Sequence, residues 1–326
     1  MQTKRWSDGR AVSSVGLGTW QLGADWGQVS EADAHAVLDA AVGAGVTFLD
    51  TADVYGDGRS EQIIGSFLAA NPGLDLLVAT KMGRRVPQEH SAYTLDAFRA
   101  WTDRSRRNLG VERLDVVQLH CPPSSVLADD AVFDALDTLV EEGAVAQYGV
   151  SVEKRSEALR ALEHPGLASI QVIVNAFRLA PLDDVVPAAS ERGVSIIARV
   201  PLASGLLSGR YTLDTTFAAD DHRTFNRHGE AFDVGETFAG VDYARGVAAA
   251  QELAAAVPAG MTLAQASIAW LAQQPGITTV IPGGRSPEQA RANAAAGGLG
   301  PLPASFDAAV RDVYARFVRA DVHDRW

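Results

Sequence analysis

An eightfold alternation limits the fold of this chain more than any other feature. Short runs rich in apolar and β-branched residues occur at 14–18, 46–49, 76–80, 114–119, 146–150, 170–174, 194–198 and 279–281. Longer stretches between them, such as 31–43, 60–70, 95–109 and 131–142, place apolar residues three and four apart, the helical period. The short runs are continuously apolar rather than alternating, as expected of parallel strands covered on both faces. Several helical stretches stop at glycine, at Gly43, Gly110, Gly143 and Gly193, where a left-handed residue can cap a helix. Eight strands alternating with helices predict an α/β fold, a (β/α)8 TIM barrel built as one domain over residues 1–326. A doubly wound open sheet fits less well, because no G-x-G-x-x-G follows an early strand.

Three segments fall outside the alternation. Residues 4–12, with the pair Asp8-Gly9, predict a hairpin before the barrel. Residues 211–244, after the seventh strand, are rich in Asp, His, Phe and Gly and show little periodicity. A loop of that length is either a functional lid or a disordered surface insertion, and both readings stand. A C-terminal extension follows the eighth strand.

Composition excludes several classes of function. Of 326 residues, 47% are hydrophobic and 21% charged, an ordinary globular balance. The net charge, 28 − 40 = −12, comes without a basic stripe, so a nucleic-acid partner is not expected. Cys121 is the only cysteine, which rules out an internal disulfide and fits a reducing compartment. Residues 1–8 lack the apolar core of a signal peptide, and no apolar run approaches the ~20 residues that span a bilayer. The expectation is a cytoplasmic protein, with no membrane attachment, acting on a small molecule. Nothing in the sequence specifies an oligomeric state.

Three successive strand runs end in a titratable residue: Asp50, Lys81 and His120. Tyr55 follows Asp50 by five residues, just before Gly56. In a parallel barrel the C-terminal strand ends converge on one face, with neighbours ~4.8 Å apart, so these side chains can meet. Taken singly, each has a bland explanation. Asp50 could cap a loop, Tyr55 could pack a turn, Lys81 could be a surface lysine and His120 a satisfied structural histidine. Only the ordered set of four argues for proton-transfer chemistry.

At these residues the chain resembles the aldo-keto reductases, over about Val15 to Asn293. The resemblance implies Tyr55 as proton donor to a carbonyl oxygen that gains charge as hydride reaches the carbon. A free tyrosine has a pKa of about 10, and an adjacent ammonium lowers it. Lys81 would be that ammonium, held by Asp50, and His120 would orient the substrate oxygen. Cys121, next in sequence, is read as a buried filler rather than a redox-sensitive thiol. No metal is called for.

Hydride chemistry of this kind implies a nicotinamide cofactor. In the stretch 280–289, Ser286, Pro287 and Gln289 combine an N-cap, a first-turn proline and a capping box. The preceding Gly283, Gly284 and Arg285 suit a phosphate monoester at a helix N-terminus. Gln289 and Asn293 lie on one face of that helix. The segment resembles the family's adenosine 2′-phosphate and adenine site, which favours NADP(H) over NAD(H). The resemblance further implies that Gly18, Thr19 and Trp20 lie beneath the nicotinamide ribose, that Asp50 also binds the cofactor, and that Ser151 and Gln171 hold the carboxamide. Pro201, Leu202, Ser204 and Gly205 would form the pyrophosphate loop.

Two positions depart from the family pattern. Arg199 stands where many members stack an aromatic ring on the nicotinamide, and Val152 stands where many have Asn. An Arg199 guanidinium on the ring would disfavour the oxidised cofactor, unless a carboxylate from 211–244 neutralised it. Candidate pocket walls are Trp20, Trp26, Tyr55, Met82, His120, Phe177 and Trp326. The implied activity is NADPH-dependent reduction of aldehydes or ketones. A sugar or inositol dehydrogenase remains open, as does a cofactor-binding redox sensor resembling the potassium-channel β-subunits.

Overall fold

The computed structural model describes residues 1–23 and 29–326. Strands β1 (Thr3–Arg5) and β2 (Ala11–Ser13) pair antiparallel, and Gly9 takes the positive φ of +93° that the turn between them requires. The hairpin closes the lower end of a barrel by inserting Trp6, which is buried. The Trp6 ring packs 5.4 Å from that of Phe48, and its indole N–H donates to Gln147 Oε1 at 2.7 Å.

Eight parallel strands follow in sequence order: β3 (Leu17–Gly18), β4 (Phe48–Asp50), β5 (Leu77–Met82), β6 (Leu114–His120), β7 (Val145–Ser151), β8 (Leu167–Ile173), β9 (Ser195–Arg199) and β10 (Ile277–Val280). Parallel bridges from Val15 to Val280 and from Gly18 to Gly283 bring the first and last strands together. The predicted (β/α)8 barrel and its hairpin are present. Helices cover the strands' outer faces, including Glu31–Gly43, Arg59–Ala70, Leu95–Leu109 and Asp130–Glu141. Gly110, Gly143 and Gly193 adopt left-handed conformations at helix ends, with φ of 68°, 72° and 69°. At the first helix that role falls to Gly45 (φ 92°), two residues later than expected, because Gly43 is still helical.

Strand alternation sorts the barrel interior into layers. Phe48, Leu77, Ala79, Val116, Ile197 and Ile281 form an apolar cluster with Trp6. Two residues beyond Phe48, Ala79, Val116 and Ile197 come Asp50, Lys81, Gln118 and Arg199, all buried. The apolar plug thus supports a layer of charge at the mouth.

The 211–244 segment is a folded cover over that mouth. It contains the short helix His222–Phe225 and two 3-10 turns, Val234–Glu236 and Phe238–Gly240. Buried Asn226 organises it, accepting from Ala231 N and Phe232 N at 2.8 Å each and donating to Thr237 Oγ1 at 3.1 Å. Trp326 braces it from behind: its ring lies 3.9 Å from the Arg178 guanidinium, and its N–H donates to Asp233 Oδ1 at 2.8 Å. A Cβ on Gly240 would lie 2.3 Å from the Trp326 ring, so glycine is needed there. Among the described residues, no helix is long and apolar enough to cross a membrane.

Candidate active site

The charged layer brings the strand-end residues into contact. Lys81 Nζ lies 2.7 Å from Asp50 Oδ2, donates to Thr51 O at 2.8 Å and to Tyr55 Oη at 3.3 Å. The other Asp50 oxygen accepts from Gln171 Nε2 at 2.6 Å. The His120 ring stands edge-on to Tyr55, with centroids 5.9 Å apart. Both members of the ion pair are almost sealed from solvent, with 1% and 4% of their side chains exposed. Burial alone would lower the Lys81 pKa, but Asp50 and the phenol prevail and raise it.

The Tyr55 phenol departs from the simple expectation. Burial raises its pKa and outweighs the opposing pull of Lys81, so the hydroxyl is held protonated. Lys81 therefore does not make a resting phenolate; it stands ready to stabilise one that forms. Burial also drives the His120 pKa well below its ordinary value, with Arg84, Lys81 and Arg199 adding to the effect. His120 is a neutral imidazole, and its Nδ1 is buried without a protein partner among the described residues.

Tyr55 and His120 face a cavity of about 570 Å³ that runs on to Arg285, Gln289 and Asn293. Gly18, Thr19, Trp20, Asp50, Ser151, Gln171, Arg199, Pro201, Leu202, Ser204, Gly205 and Gly283 all line it. Two helix N-termini open onto it, those of Leu263–Gln273 and Pro287–Ala295. Such termini favour anionic groups, and Arg285 adds a cation beside the second. Between them the backbone turns through left-handed residues at Val200, Ala203, Ser204 and Gly205. Strain of this kind persists where the surroundings enforce it, commonly at ligand sites. A long molecule with phosphates at one end fits this lining.

Several side chains are engaged differently from expectation. Gln289 Oε1 accepts from Arg285 N at 2.9 Å instead of closing a capping box on Ser286, while Ser286 Oγ does accept from Gln289 N. Asn293 Nδ2 donates to Gly283 O at 3.0 Å, so both residues shape the glycine turn. The Thr19 hydroxyl is committed to Asp50 O at 2.8 Å.

Arg199 is paired. Its Nη2 lies 2.9 Å from Glu153 Oε1 and donates to Val152 O at 3.1 Å, and its Nη1 lies 4.0 Å from Glu236 Oε1. Arg84 Nη2 joins the same group, 2.9 Å from Glu236 Oε1. The lone positive charge expected at the stacking position is therefore countered, in part by the cover. Cys121 touches this group at 3.7 Å from Arg199, and burial, with Glu153 beside it, pushes its thiol up to about 12.

Three expected pocket walls lie elsewhere. Lys81 points into the barrel, so its neighbour Met82 must point outward, where its sulfur meets Thr102 Oγ1 at 3.9 Å. Phe177 is fully buried in the core, and Trp326 packs behind the cover. Trp26 lies outside the described residues. The cover supplies residues that no sequence signal marked: His222, Arg223 and Glu236 line the cavity, and the His222 ring lies tilted to that of Trp20, with centroids 5.4 Å apart. Asp53 was also missed. It is buried, and burial, aided by Glu61, raises its carboxyl to about 7.

The aldo/keto reductase family model matches residues 14–315. An uncharacterized oxidoreductase of Mycobacterium tuberculosis is 33% identical over 294 residues, covering 87% of this chain and 84% of its own. The D-threo-aldose 1-dehydrogenase of a Pseudomonas species is 31% identical over 229 residues, covering 61% of this chain and 69% of its own. The glycerol dehydrogenase of Gluconobacter oxydans has the same fold, with a TM-score of 0.78, 28% identity and coverage of 97% of this chain and 96% of its own.

Proposed function

The chain belongs to the aldo/keto reductase family, and from that premise we propose that it reduces aldehydes or ketones to alcohols with NADPH. The observation that carries this reading is Lys81 Nζ bridging Asp50 and Tyr55 at the inner end of one cavity whose outer end is cationic. The bound cofactor would supply the hydride. Ser151 and Gln171 would hold its carboxamide, the 200–205 turn its pyrophosphate, and Arg285 the 2′-phosphate.

The residues divide the remaining work. Neutral His120 orients the carbonyl oxygen toward Tyr55. Protonated Tyr55 donates its Oη proton to that oxygen, and Lys81, kept charged by Asp50, stabilises the phenolate left behind. Trp20 and the cover exclude water from one side.

A second reading is a sugar or polyol dehydrogenase acting mainly toward oxidation. Polar walls at His222 and Glu236 favour it, since they suit substrate hydroxyls. Assaying simple aldehydes, aldoses and polyols against NADPH, NADH and their oxidised forms separates the two, and no turnover with any pair would sink both. Arg285→Ala is expected to weaken NADPH by about 1.5–3 kcal/mol, the worth of a hydrogen bond to a charged group, and to leave NADH nearly unchanged. Equal losses on fluorescence titration would place the 2′-phosphate elsewhere.

A further inference from the structure

A second ion cluster lies beside the proton-donating set. Arg84 and Arg199 face Glu153 and Glu236, with Arg84 Nη2 2.9 Å from Glu236 Oε1 and 3.8 Å from Glu153 Oε1. Only 11% and 13% of the two glutamate side chains are exposed. One carboxylate oxygen of each lies within 4.8 Å of the other and of Cys121 Sγ. A cation is disfavoured there, because both guanidiniums already supply the positive charge. The groups facing Glu153 are Arg199 from β9, Arg84 beyond β5, Cys121 beyond β6, and Glu236 and Asp233 from the cover. Arg178, after β8, donates to the Glu153 backbone oxygen at 3.3 Å.

Two carboxylates this close, away from water, resist ionising together. Burial would raise Glu236, but Arg84 and Arg199 hold it down as the ionised member. Burial, with Glu236 beside it, pushes Glu153 up to about 7 despite Arg199, so Glu153 is the member that titrates near neutrality. With that proton the cluster carries two positive charges and one negative. Without it the charges balance.

We propose that the Glu153–Glu236 pair makes this site distinguish the two redox forms of its cofactor, Glu153 releasing its proton when a cationic nicotinamide binds and keeping it beside a neutral one. The proposal rests on the nicotinamide reading above. Arg199 lines the cavity, so the cluster's surplus charge is presented to the ring. A cationic ring and a surplus positive charge repel, and loss of the Glu153 proton removes the surplus. NADP⁺ affinity therefore rises with pH through the Glu153 titration, while NADPH affinity stays flat.

The test is calorimetric titration of NADP⁺ and NADPH near pH 7, each in two buffers of different ionisation enthalpy. For the wild type, a substantial fraction of a proton is expected to leave on NADP⁺ binding and almost none on NADPH binding. Glu153→Gln should abolish the release and weaken NADP⁺ relative to NADPH by about tenfold, the equivalent of one pKa unit. Buffer-independent NADP⁺ heats in the wild type, or unchanged release in Glu153→Gln, would overturn the proposal. Should that variant not fold, the wild-type affinity ratio between pH 6 and pH 8 decides, and a constant ratio overturns it. If neither nucleotide binds, the cofactor reading itself fails, and the proposal with it.

Discussion

Two buried ion clusters share the barrel mouth, and they are built in opposite ways. The Asp50–Lys81–Tyr55 cluster has one cation and one carboxylate, almost wholly sealed, on neighbouring strands. The Arg84–Glu153–Arg199–Glu236 cluster has two of each, is partly open at Arg84 (22% exposed), and draws three members from segments beyond strand ends. A sealed pair has no water to fall back on, so removing either partner leaves an uncompensated charge. A four-membered rim can re-pair or rehydrate. The first cluster is therefore suited to fixed geometry at a reacting atom, the second to a charge state that changes.

The largest effect expected is on chemistry. Tyr55→Phe should lower kcat for carbonyl reduction by ~10²–10⁴-fold, the range for loss of a general acid, with cofactor affinity nearly intact. A variant retaining more than a tenth of wild-type kcat would remove Tyr55 from the role of donor. The sealed pair should show next, in stability. Lys81→Met leaves Asp50 buried without its ion partner and is expected to cost about 3–5 kcal/mol in denaturant unfolding. Glu236→Ala, read in the same experiment, should cost less, about 1–3 kcal/mol, because Arg199 keeps Glu153 and Arg84 can turn to water. Equal losses in the two variants would erase the contrast between the clusters.

The same contrast explains what was legible beforehand. Barrel strands show in the sequence because both faces are covered and each run is apolar throughout. Asp50, Lys81 and His120 show because they end such runs, where strand spacing alone brings them together. Strand alternation accounts for Met82: an inward Lys81 implies an outward Met82, against Thr102. The second cluster was only half visible. Arg199 stood out as a charge in an aromatic position, and a neutralising carboxylate from 211–244 was a foreseeable remedy. Glu153 and Arg84 carried no such signal, since their pairing depends on the course of loops that no periodicity describes. Gln171 shows a subtler limit. Its strand position is legible, but its 2.6 Å bond to Asp50 ties it to the charged layer as well as to the cavity wall.

The smallest expected effect concerns the brace behind the cover. Glu236 reaches Arg84 and Arg199 from a 3-10 turn whose neighbour Asp233 accepts from the Trp326 indole. Ser204, on the cavity side, ties the same turn down by donating to Glu236 O at 3.1 Å and accepting from Phe238 N at 3.0 Å. The turn is thus held between the barrel loop and Trp326. Trp326→Phe keeps an aromatic ring against Arg178 and deletes one N–H donor, so it should cost about 1 kcal/mol of stability, the typical net worth of one hydrogen bond. That loss belongs to the loop-built cluster alone. Catalysis at saturating cofactor should be unchanged, because no member of the strand-built set touches the turn. If kcat fell in step with stability, the two clusters would be acting as one unit, and the division between a fixed proton donor and an adjustable rim would have to be abandoned.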